Sequence, residues 1–191
     1  MKITNLTKTF ASKKIFDNAS FEFEDGKITY ITGESGVGKT TLLRIIAGLD
    51  KAFSGEIVCN SDKISYVFQE PRLFPNLTVA ENISITTENS PYTVDSVLNI
   101  TELEQEKNSL PSSLSGGMKM RISLARALYN DGDIFLMDEP FSALDDKTKE
   151  RILPKVFQLL KNKTVLIVSH NLYEADKYAD KIINLSSPLM N

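Results

Sequence analysis

The sequence has little that would place it inside a lipid bilayer, in an oxidising compartment or on a nucleic acid. A single cysteine, Cys59, cannot form a disulfide within the chain, which fits a reducing compartment. The longest apolar runs, such as Ile134 to Met137, span only a few residues, whereas a helix needs about 20 to cross a bilayer. The 22 lysine and arginine residues against 25 acidic residues leave a net charge of −3, which disfavours a nucleic-acid partner.

The remaining composition is that of one ordinary globular domain. With 191 residues, 41% of them hydrophobic and 25% charged, the chain can build one sizeable core but not two large domains. Residues Met1 to Lys8 contain no apolar segment of the kind that begins a secretory signal. Cys59, at the end of the predicted strand Glu56–Cys59, is expected to be a small core residue rather than a reactive thiol.

Strand and helix patterns alternate along most of the chain. Residues 2–32 are predicted to form strands with a turn at Asp25-Gly26, and residues Thr78 to Ala127 are mostly helical in pattern. Further strands are predicted at Ile64–Phe68, Asp133–Met137, Thr164–Val168 and Lys181–Leu185, and helices near Asp146–Leu160 and Tyr173–Tyr178. The alternation predicts an α/β fold with a parallel sheet flanked by helices. Pro154 is expected to kink its helix.

A glycine-rich segment, Gly33–Thr40, follows an apolar strand, opens an amphipathic helix and matches the pattern G-x-x-x-x-G-K-[ST]. Its glycines let backbone N–H groups face anionic oxygens, and the helix N-terminus adds partial positive charge. Lys39 is expected to reach the β- and γ-phosphates, and the Thr40 hydroxyl to ligate Mg²⁺. The residues predicted to bind the nucleoside triphosphate are Gly33, Glu34, Ser35, Gly36, Val37, Gly38, Lys39, Thr40 and Thr41.

Two carboxylates follow a second apolar strand, Ile134–Met137. Asp138 and Glu139 should emerge at the carboxyl edge of the sheet, where open α/β sheets bind their ligands. Asp138 is placed to hold Mg²⁺ through water, and Glu139 is placed to polarise a water aimed at the γ-phosphate. A strand that ends in Asp-Glu is weak evidence alone, but beside a phosphate-binding loop it favours a hydrolase over a passive nucleotide binder.

Further motifs complete an ordered set. Ser115-Gly116-Gly117 begins a helix and offers N–H groups to an anion; alone it would be an ordinary helix cap. Along the chain the order is phosphate loop, Gln69, Ser115-Gly116-Gly117, Asp138-Glu139 and His170, the only histidine. This set, over nearly the whole chain, resembles the nucleotide-binding domain of ATP-binding-cassette (ABC) transporters.

The resemblance implies a fold and a division of the chain. The expected fold is a P-loop NTPase core, with an N-terminal antiparallel β region and a small inserted helical subdomain. Residues 1–191 would form a single ABC ATPase domain, with 1–75 and 128–191 as the catalytic core and about 76–127 as the helical subdomain that carries the signature segment, Ser115–Gly117. ATP and Mg²⁺ are the implied cofactors.

The resemblance also implies roles for individual residues. Gln69 would sense Mg²⁺ and the γ-phosphate, and His170 would be the switch histidine that reaches the γ-phosphate. Asp145, in the segment Ser142–Asp145, would cross the dimer interface to the nucleotide. Phe10 matches the aromatic residue that stacks on adenine, although an aromatic beside a strand is often simply core. Glu139, His170, Lys39 and Gln69 are thus the predicted catalytic residues, and Thr40, Gln69 and Asp138 the predicted metal ligands.

In this family two domains pack head to tail, so the signature segment of each closes over ATP held by the other. We therefore expect a second ATP-binding subunit in an ATP-dependent homodimer, transmembrane permease subunits, an extracytoplasmic binding protein as an indirect partner, and no nucleic acid. The expected location is cytoplasmic, peripheral on the inner face of the cell membrane. Further similarity to bacterial importers of the nitrate, sulfonate and taurine type lies in Leu42–Asp50, Tyr66–Pro75 and Arg121–Leu128.

Two other interpretations stay open at this point. One is a soluble ABC-type ATPase without a permease, although such proteins usually carry a coiled-coil insertion or two cassettes. The other is a small-molecule phosphotransferase, which the signature segment and Glu139 disfavour. The residues Pro71, Leu73, Phe74, Leu77 and Val79 are expected to form either a groove for a permease helix or ordinary core of the helical subdomain.

Overall fold

The computed structural model describes residues 1–11 and 13–185. Its strands are β1 (Lys2–Phe10), β2 (Lys13–Glu22), β3 (Ile28–Gly33), β4 (Ser54–Val58), β5 (Ile64–Val67), β6 (Ile134–Asp138), β7 (Thr164–Val168) and β8 (Lys181–Leu185). Its helices are α1 (Lys39–Ile46), α2 (Val79–Ser84), α3 (Val94–Thr101), α4 (Gly116–Asn130), α5 (Asp146–Leu159) and α6 (Leu172–Tyr178), with short 3-10 turns at Glu104–Glu106 and Pro111–Ser113.

A five-stranded parallel sheet, in the order β5-β6-β7-β3-β8, forms the centre of the protein. Every residue of β6 and β7 is buried, because strands covered on both faces need apolar side chains in continuous runs. The ends of β3, β6 and β7 therefore meet at one edge of the sheet. This arrangement confirms the predicted α/β fold with a parallel sheet and places the phosphate loop beside the two carboxylates.

A three-stranded antiparallel sheet, in the order β2-β1-β4, lies beside the parallel one. Its inward residues, among them Ile3, Leu6 and Phe16, share a buried cluster with Leu42 and Leu43 of α1. The predicted N-terminal antiparallel region is thus confirmed. Its packing against α1 brings the end of β1 near the phosphate loop.

The helices α2, α3 and α4 pack on one another. Their start points follow the sequence closely: Thr78 and Glu81 form a capping box at α2, Thr93 caps α3 and Ser115 caps α4. The buried apolar side chains of these helices join a cluster that also includes β5 and β6. Because α4 runs unbroken from Gly116 to Asn130, it connects the signature segment rigidly to the strand that ends in Asp138.

The helix α5 continues through Pro154, so the proline does not break it, as expected. Other local expectations differ from the structure. Cys59 lies just after β4, where it is half-buried against the core rather than inside it, and burial raises the pKa of its thiol. Residues 85–93 lie outside helices because Thr, Asn, Ser and Pro here favour turns and caps. Within the described part of the chain, no helix is both long and apolar enough to cross a membrane.

Candidate active site

The phosphate loop connects β3 to α1 through backbone conformations that require glycine. Gly33 and Gly38 have φ values of +140° and +111°, a region that other residues rarely adopt. A Cβ at Gly38 would lie 2.5 Å from Ile15 Cγ2, and one at Gly33 would collide with the Leu185 carbonyl oxygen. No side chain among the described residues caps the N-terminus of α1. The amides of its first turn therefore remain available to a bound anion.

Lys39, the first residue of α1, is buried beneath this loop. Its Nζ donates hydrogen bonds to the carbonyl oxygens of Gly33 and Glu34, both at 2.8 Å. Burial lowers the pKa of Lys39, and the nearby charges of Glu139 and Asp138 oppose that shift. The ammonium group is thus held inside the loop by neutral carbonyls, which a phosphate oxygen can replace as a stronger partner.

Asp138 ends β6 and is 2% exposed. Its Oδ1 is buried and has no hydrogen-bond partner among the residues described. Burial raises the pKa of Asp138, while a hydrogen bond from Thr40 and the charges of Arg44 and Lys39 oppose the shift. A buried carboxylate oxygen without a partner, next to a hydroxyl group, suits a hard cation that takes oxygen ligands.

Glu139 has an unusual backbone conformation and a carboxylate oxygen that accepts no hydrogen bond from the described residues. Its φ is +51°, and its amide donates to the Val168 carbonyl at 2.9 Å, which ties it to the end of β7. Within the described residues its Oε1 makes no hydrogen bond, and it lies 3.5 Å from Nε2 of His170. Burial raises the pKa of Glu139, and His170 is the largest opposing influence. The carboxylate is therefore poised to accept a proton at its unused oxygen.

His170 lies in a short turn between β7 and α6. The turn is fixed on both sides: the Asn171 amide donates to Ser169 Oγ at 3.0 Å, and Asn171 Oδ1 accepts from the amides of Tyr173 and Glu174. The His170 side chain itself is 60% exposed. A rigid turn thus holds a largely exposed imidazole at the cavity.

One cavity of about 220 Å³ brings most of the predicted residues together. It lies at the carboxyl edge of the parallel sheet, where ligands of α/β sheets bind. Its lining consists of Phe10, Ile15, Ser35, Gly36, Gly38, Lys39, Thr40, Thr41, Gln69, Asp138, Glu139, Val168 and His170. A larger open depression of about 810 Å³, beside residues 86–91, contains none of the predicted site residues.

Gln69 and Phe10 both line this cavity. Gln69 is exposed and also lines a second space of about 180 Å³ that it shares with Arg44 and Asp138. Phe10 is 49% exposed at the end of β1, so it does not have the core position that its place beside a strand also allowed. Both residues lie at the cavity, as their predicted roles require.

The signature segment lies elsewhere. Of the residues described, Ser115, Gly116, Gly117 and Asp145 are not part of the cavity lining. Ser115 Oγ accepts from the Met118 amide at 3.3 Å, and a Cβ at Gly117 would lie 2.8 Å from the Ala143 carbonyl oxygen. Asp145 caps α5 by accepting from Thr148, and these hydrogen bonds lower its pKa. The chain thus separates two groups of predicted nucleotide contacts.

The cavity wall also contains residues that sequence patterns did not indicate. Ile15 and Val168 are ordinary apolar strand residues, and nothing in their local sequence distinguishes them. Beside Gln69, the rings of Tyr66 and Phe68 stack with centroids 4.3 Å apart, and Arg72 lies over Phe68 at 4.2 Å. The aromatic pair at i and i+2 was the available signal, since strand residues two apart share a face.

The fold and these motifs agree with comparisons to known proteins. Residues 16–142 match the sequence profile of the family described as ABC transporter. The chain belongs to this family. It therefore carries an ABC-type ATPase domain, and the resemblance stated from the motifs is confirmed at this level.

Curated relatives agree with this family assignment. An aliphatic sulfonates import ATP-binding protein of Pseudomonas syringae pv. tomato is 38% identical over 94% of the chain and 79% of the relative. One from Bacillus cereus is 36% identical over 98% of the chain and 81% of its own length. A probable sulfate/thiosulfate import ATP-binding protein of Chlorella vulgaris is 35% identical, covering 97% of the chain and 86% of the relative.

Solved structures show the same fold. The bacterial ABC transporter cassette MJ0796, in a structure described as dimeric, has a TM-score of 0.88 and 32% identity, covering 100% of this chain and 96% of its own. Another structure of that cassette, in a post-hydrolysis state bound to ADP and Pi, has a TM-score of 0.85 and 32% identity and covers 96% of this chain and 93% of its own. The individual roles of the cavity residues remain predictions.

Proposed function

We propose that this chain is the ATP-binding and ATP-hydrolysing subunit that energises a bacterial ABC importer. The observation that carries the proposal is the single cavity in which Lys39, Thr40, Asp138, Glu139 and His170 meet. The import ATP-binding proteins among its relatives support the direction of transport. The nitrate, sulfonate and taurine type is the class of transporter we expect.

ATP would bind along the cavity with its phosphates at the start of α1. The amides of the phosphate loop and of the first turn of α1 would donate to phosphate oxygens, and Lys39 would exchange its loop carbonyls for the β- and γ-phosphates. Phe10, which lines the same cavity, would stack on the adenine. These contacts together would fix the direction in which the triphosphate lies.

Asp138 Oδ1, the Thr40 hydroxyl and the Gln69 side chain form an oxygen-donor set that fits Mg²⁺. When bound, the cation supplies positive charge that neutralises the phosphates. Asp138 would hold it through water, and Gln69 would report whether the γ-phosphate is present, because it lies where the cavity meets the loop that leads to α2.

Glu139 would act as the general base. Its unpaired Oε1 can accept a proton from a water aimed at the γ-phosphate, and its raised pKa improves that proton transfer because an efficient base has a pKa nearer the working pH. His170, 3.5 Å beyond that oxygen, would contact the γ-phosphate with its exposed ring. The rigid turn around His170 would keep the ring in place during the reaction.

The chain would complete its site with a second copy. Residues 76–127, which we propose as the helical subdomain, carry Ser115–Gly117 away from the chain's own cavity. In a head-to-tail homodimer, these residues would instead close over ATP held by the other copy, as the dimeric MJ0796 cassette supports. Asp145 lies near the same segment, because Ala143, two residues before it, packs closely against Gly117. ATP would thus act as a link between subunits, which hydrolysis removes.

The permease would dock on the segment that follows Gln69. Phe74 is 50% exposed there, and Asn82 holds the segment by hydrogen bonds to Phe74 and Leu77. Val79 is fully buried, so it belongs to the core rather than to a groove. The chain would then sit on the cytoplasmic face of the membrane, with an extracytoplasmic binding protein as an indirect partner.

Hydrolysis by the purified chain tests the proposal. Glu139→Gln should lower the rate of phosphate release about a thousandfold, because a general base contributes roughly 10² to 10⁴ in rate, while ATP stays bound. Glu56→Gln, an exposed carboxylate on β4, serves as the matched control and should keep wild-type turnover. Phosphate release by Glu139→Gln at the wild-type rate would contradict the role of this residue.

Attachment to a permease needs its own test. Affinity purification from detergent-solubilised membranes should recover a multi-spanning membrane protein with the chain, and Phe74→Asp should reduce that recovery. Recovery of the chain from the soluble fraction alone, with ATPase activity intact, would favour an ABC-type ATPase that has no permease.

A further inference from the structure

Lys8 is a buried cation in a strand whose other inward side chains are apolar. It follows Ile3 and Leu6 in β1, and it is 3% exposed. Its Nζ donates to Asp50 Oδ1 at 2.7 Å and to the Ala52 carbonyl at 2.8 Å. A buried charge is unfavourable unless it is paired, so the presence of a lysine here calls for an explanation beyond packing.

The same ammonium group lies against Phe10. The Lys8 Nζ is 4.5 Å from the centroid of the Phe10 ring, which is within the range of a cation–π contact. Residues two apart in a strand share a face, and Phe10 extends this face beyond the core to the cavity wall. Lys8 thus gives a half-exposed ring a fixed partner.

Asp50 connects this contact to the phosphate side of the cavity. It follows α1, the helix that the phosphate loop opens, and its amide donates to the Arg44 carbonyl at 3.1 Å. The Ala52 amide donates to Asp50 Oδ1 at 3.0 Å, and the hydrogen bond from Lys8 lowers the pKa of Asp50, so the carboxylate stays charged. The Lys8–Asp50 pair therefore joins the antiparallel sheet to the end of α1.

We propose that Lys8 is a positioning residue for the nucleotide base: by holding Phe10 from within the fold and anchoring β1 to α1 through Asp50, it sets the ring at the correct distance from the phosphate loop. This rests on the proposed function, in which Phe10 stacks on adenine. Lys8 touches Phe10 and Asp50 and acts on the nucleotide only through the ring.

The test compares a ligand that has a base with one that lacks it. ADP and inorganic pyrophosphate both carry a diphosphate group, but only ADP carries a base. Binding of each is measured by titration calorimetry for wild type, Lys8→Met, Phe10→Ala and the double variant. Lys8→Met keeps the apolar stem, and Asp50 keeps its hydrogen bond from Ala52. Lys2→Met, an exposed lysine at the other end of β1, is the matched control.

Phe10→Ala should weaken ADP binding about tenfold, which is within the range of base–aromatic stacking, and Lys8→Met about fivefold. Pyrophosphate binding should not change in either variant. The double variant should bind ADP no more weakly than Phe10→Ala alone, because Lys8 acts only through the ring. Lys2→Met should match wild type.

Three results would overturn the proposal: unchanged ADP affinity in Lys8→Met, an equal loss for ADP and pyrophosphate, or losses that multiply in the double variant. Unchanged ADP affinity in Phe10→Ala would also overturn it, because the ring would then not contact the base. Failure of the wild-type chain to bind either probe would contradict the proposed function itself.

Asp50→Asn covers the case in which Lys8→Met does not fold. It keeps the ammonium group and the ring but weakens the Lys8–Asp50 anchor between β1 and α1. It should lower ADP affinity about twofold and have no effect in the Phe10→Ala background, with pyrophosphate binding unchanged. An ADP affinity equal to that of wild type, or a loss that persists without the ring, would count against the proposal. Thermal unfolding of every variant confirms that each is folded.

Discussion

The two groups of predicted nucleotide contacts differ in how complete they are within one chain. At the carboxyl edge of the parallel sheet, phosphate-loop amides, a lysine, a metal-suited carboxylate, a base and a histidine meet at one cavity. At the start of α4, Ser115 Oγ accepts from the Met118 amide and Gly117 approaches the Ala143 carbonyl, and among the residues described these do not line that cavity. On the proposed function, the first region would hold the nucleotide, whereas the second would add to a nucleotide that the other copy holds.

This difference explains how hydrolysis can produce movement. If one chain enclosed the γ-phosphate completely, loss of the γ-phosphate would change that one site without changing the association of two copies. In the proposed head-to-tail dimer the donors are divided, so closure of the site and association of two copies would be the same event, and loss of the γ-phosphate would weaken both. The continuous helix α4 would pass that change from Ser115 to the strand that carries Asp138.

The largest effect should come from removing the cation of the first region. Lys39→Ala leaves the γ-phosphate without its buried ammonium partner, so ATP affinity should fall about a hundredfold, and pairing of copies should disappear with it. Titration calorimetry measures the first loss and gel filtration the second. Lys161→Ala, an exposed lysine, is the control. ATP affinity within twofold of wild type would exclude this loop as the phosphate site.

Ser115→Arg should affect the second region alone. The added bulk and charge should block ATP-driven pairing while ATP binding to the monomer stays within about twofold, with the lost helix cap costing about 1 kcal/mol in stability. Gel filtration in a Glu139→Gln background, where ATP persists, gives the dimer fraction. Ser115→Ala separates loss of the cap from added bulk, and Ser112→Arg controls for charge. A dimer that survives Ser115→Arg would place the signature segment outside the interface.

The pH dependence of turnover should depend on the first region. Burial raises the pKa of Glu139 above its ordinary value of 4.5, and a general base must be ionised to act. The value of kcat/KM should therefore fall as the pH decreases through that raised pKa, about tenfold per pH unit below it. His170→Gln removes the largest influence that lowers this pKa, so its acid limb should move to higher pH. If the acid limb stayed at the same pH in this variant, His170 would not influence the pKa of Glu139.

The smallest effect concerns stability without ligand. Because burial raises the pKa of Asp138 above its ordinary value of 3.8, the protonated carboxyl stabilises the fold at low pH, and this contribution is lost as the pH rises through the raised pKa. At neutral pH, Asp138→Asn should increase the free energy of unfolding by about 1 kcal/mol, and the gain should shrink towards pH 3.8. Urea unfolding at several pH values measures it. Constant stability differences across this range would contradict the account.

The sequence predicts the first region better than the second because its signals are local. A strand, a glycine-rich turn and a helix start determine the position of Lys39, and the buried run before Asp138 determines where that carboxylate emerges. The contact of Gly117 with Ala143 joins segments far apart in sequence, and no local pattern indicates it. The positive φ of Glu139 likewise depends on its hydrogen bond to the end of β7.

Other features could not be predicted because burial depends on the whole fold. Lysine is a residue type that usually lies at the surface, yet the position of Lys8 in the pattern of β1 places its side chain inside the fold. There Asp50 neutralises its charge. Cysteine is a residue type that usually lies in the core, but Cys59 follows the last residue of β4 and is partly exposed. The environment of Lys8 is thus decided by its position in the pattern of β1, and that of Cys59 by the residue at which β4 ends.

The most direct test of the division between two chains is complementation. Lys39→Ala disables one phosphate loop and leaves its signature segment intact, whereas Ser115→Arg does the reverse. We expect that neither variant hydrolyses ATP alone, but that an equimolar mixture recovers up to about half of wild-type phosphate release, because neither variant pairs with itself and each mixed pair contains one complete site out of two. A mixture no more active than its separate components would contradict a site built from two copies.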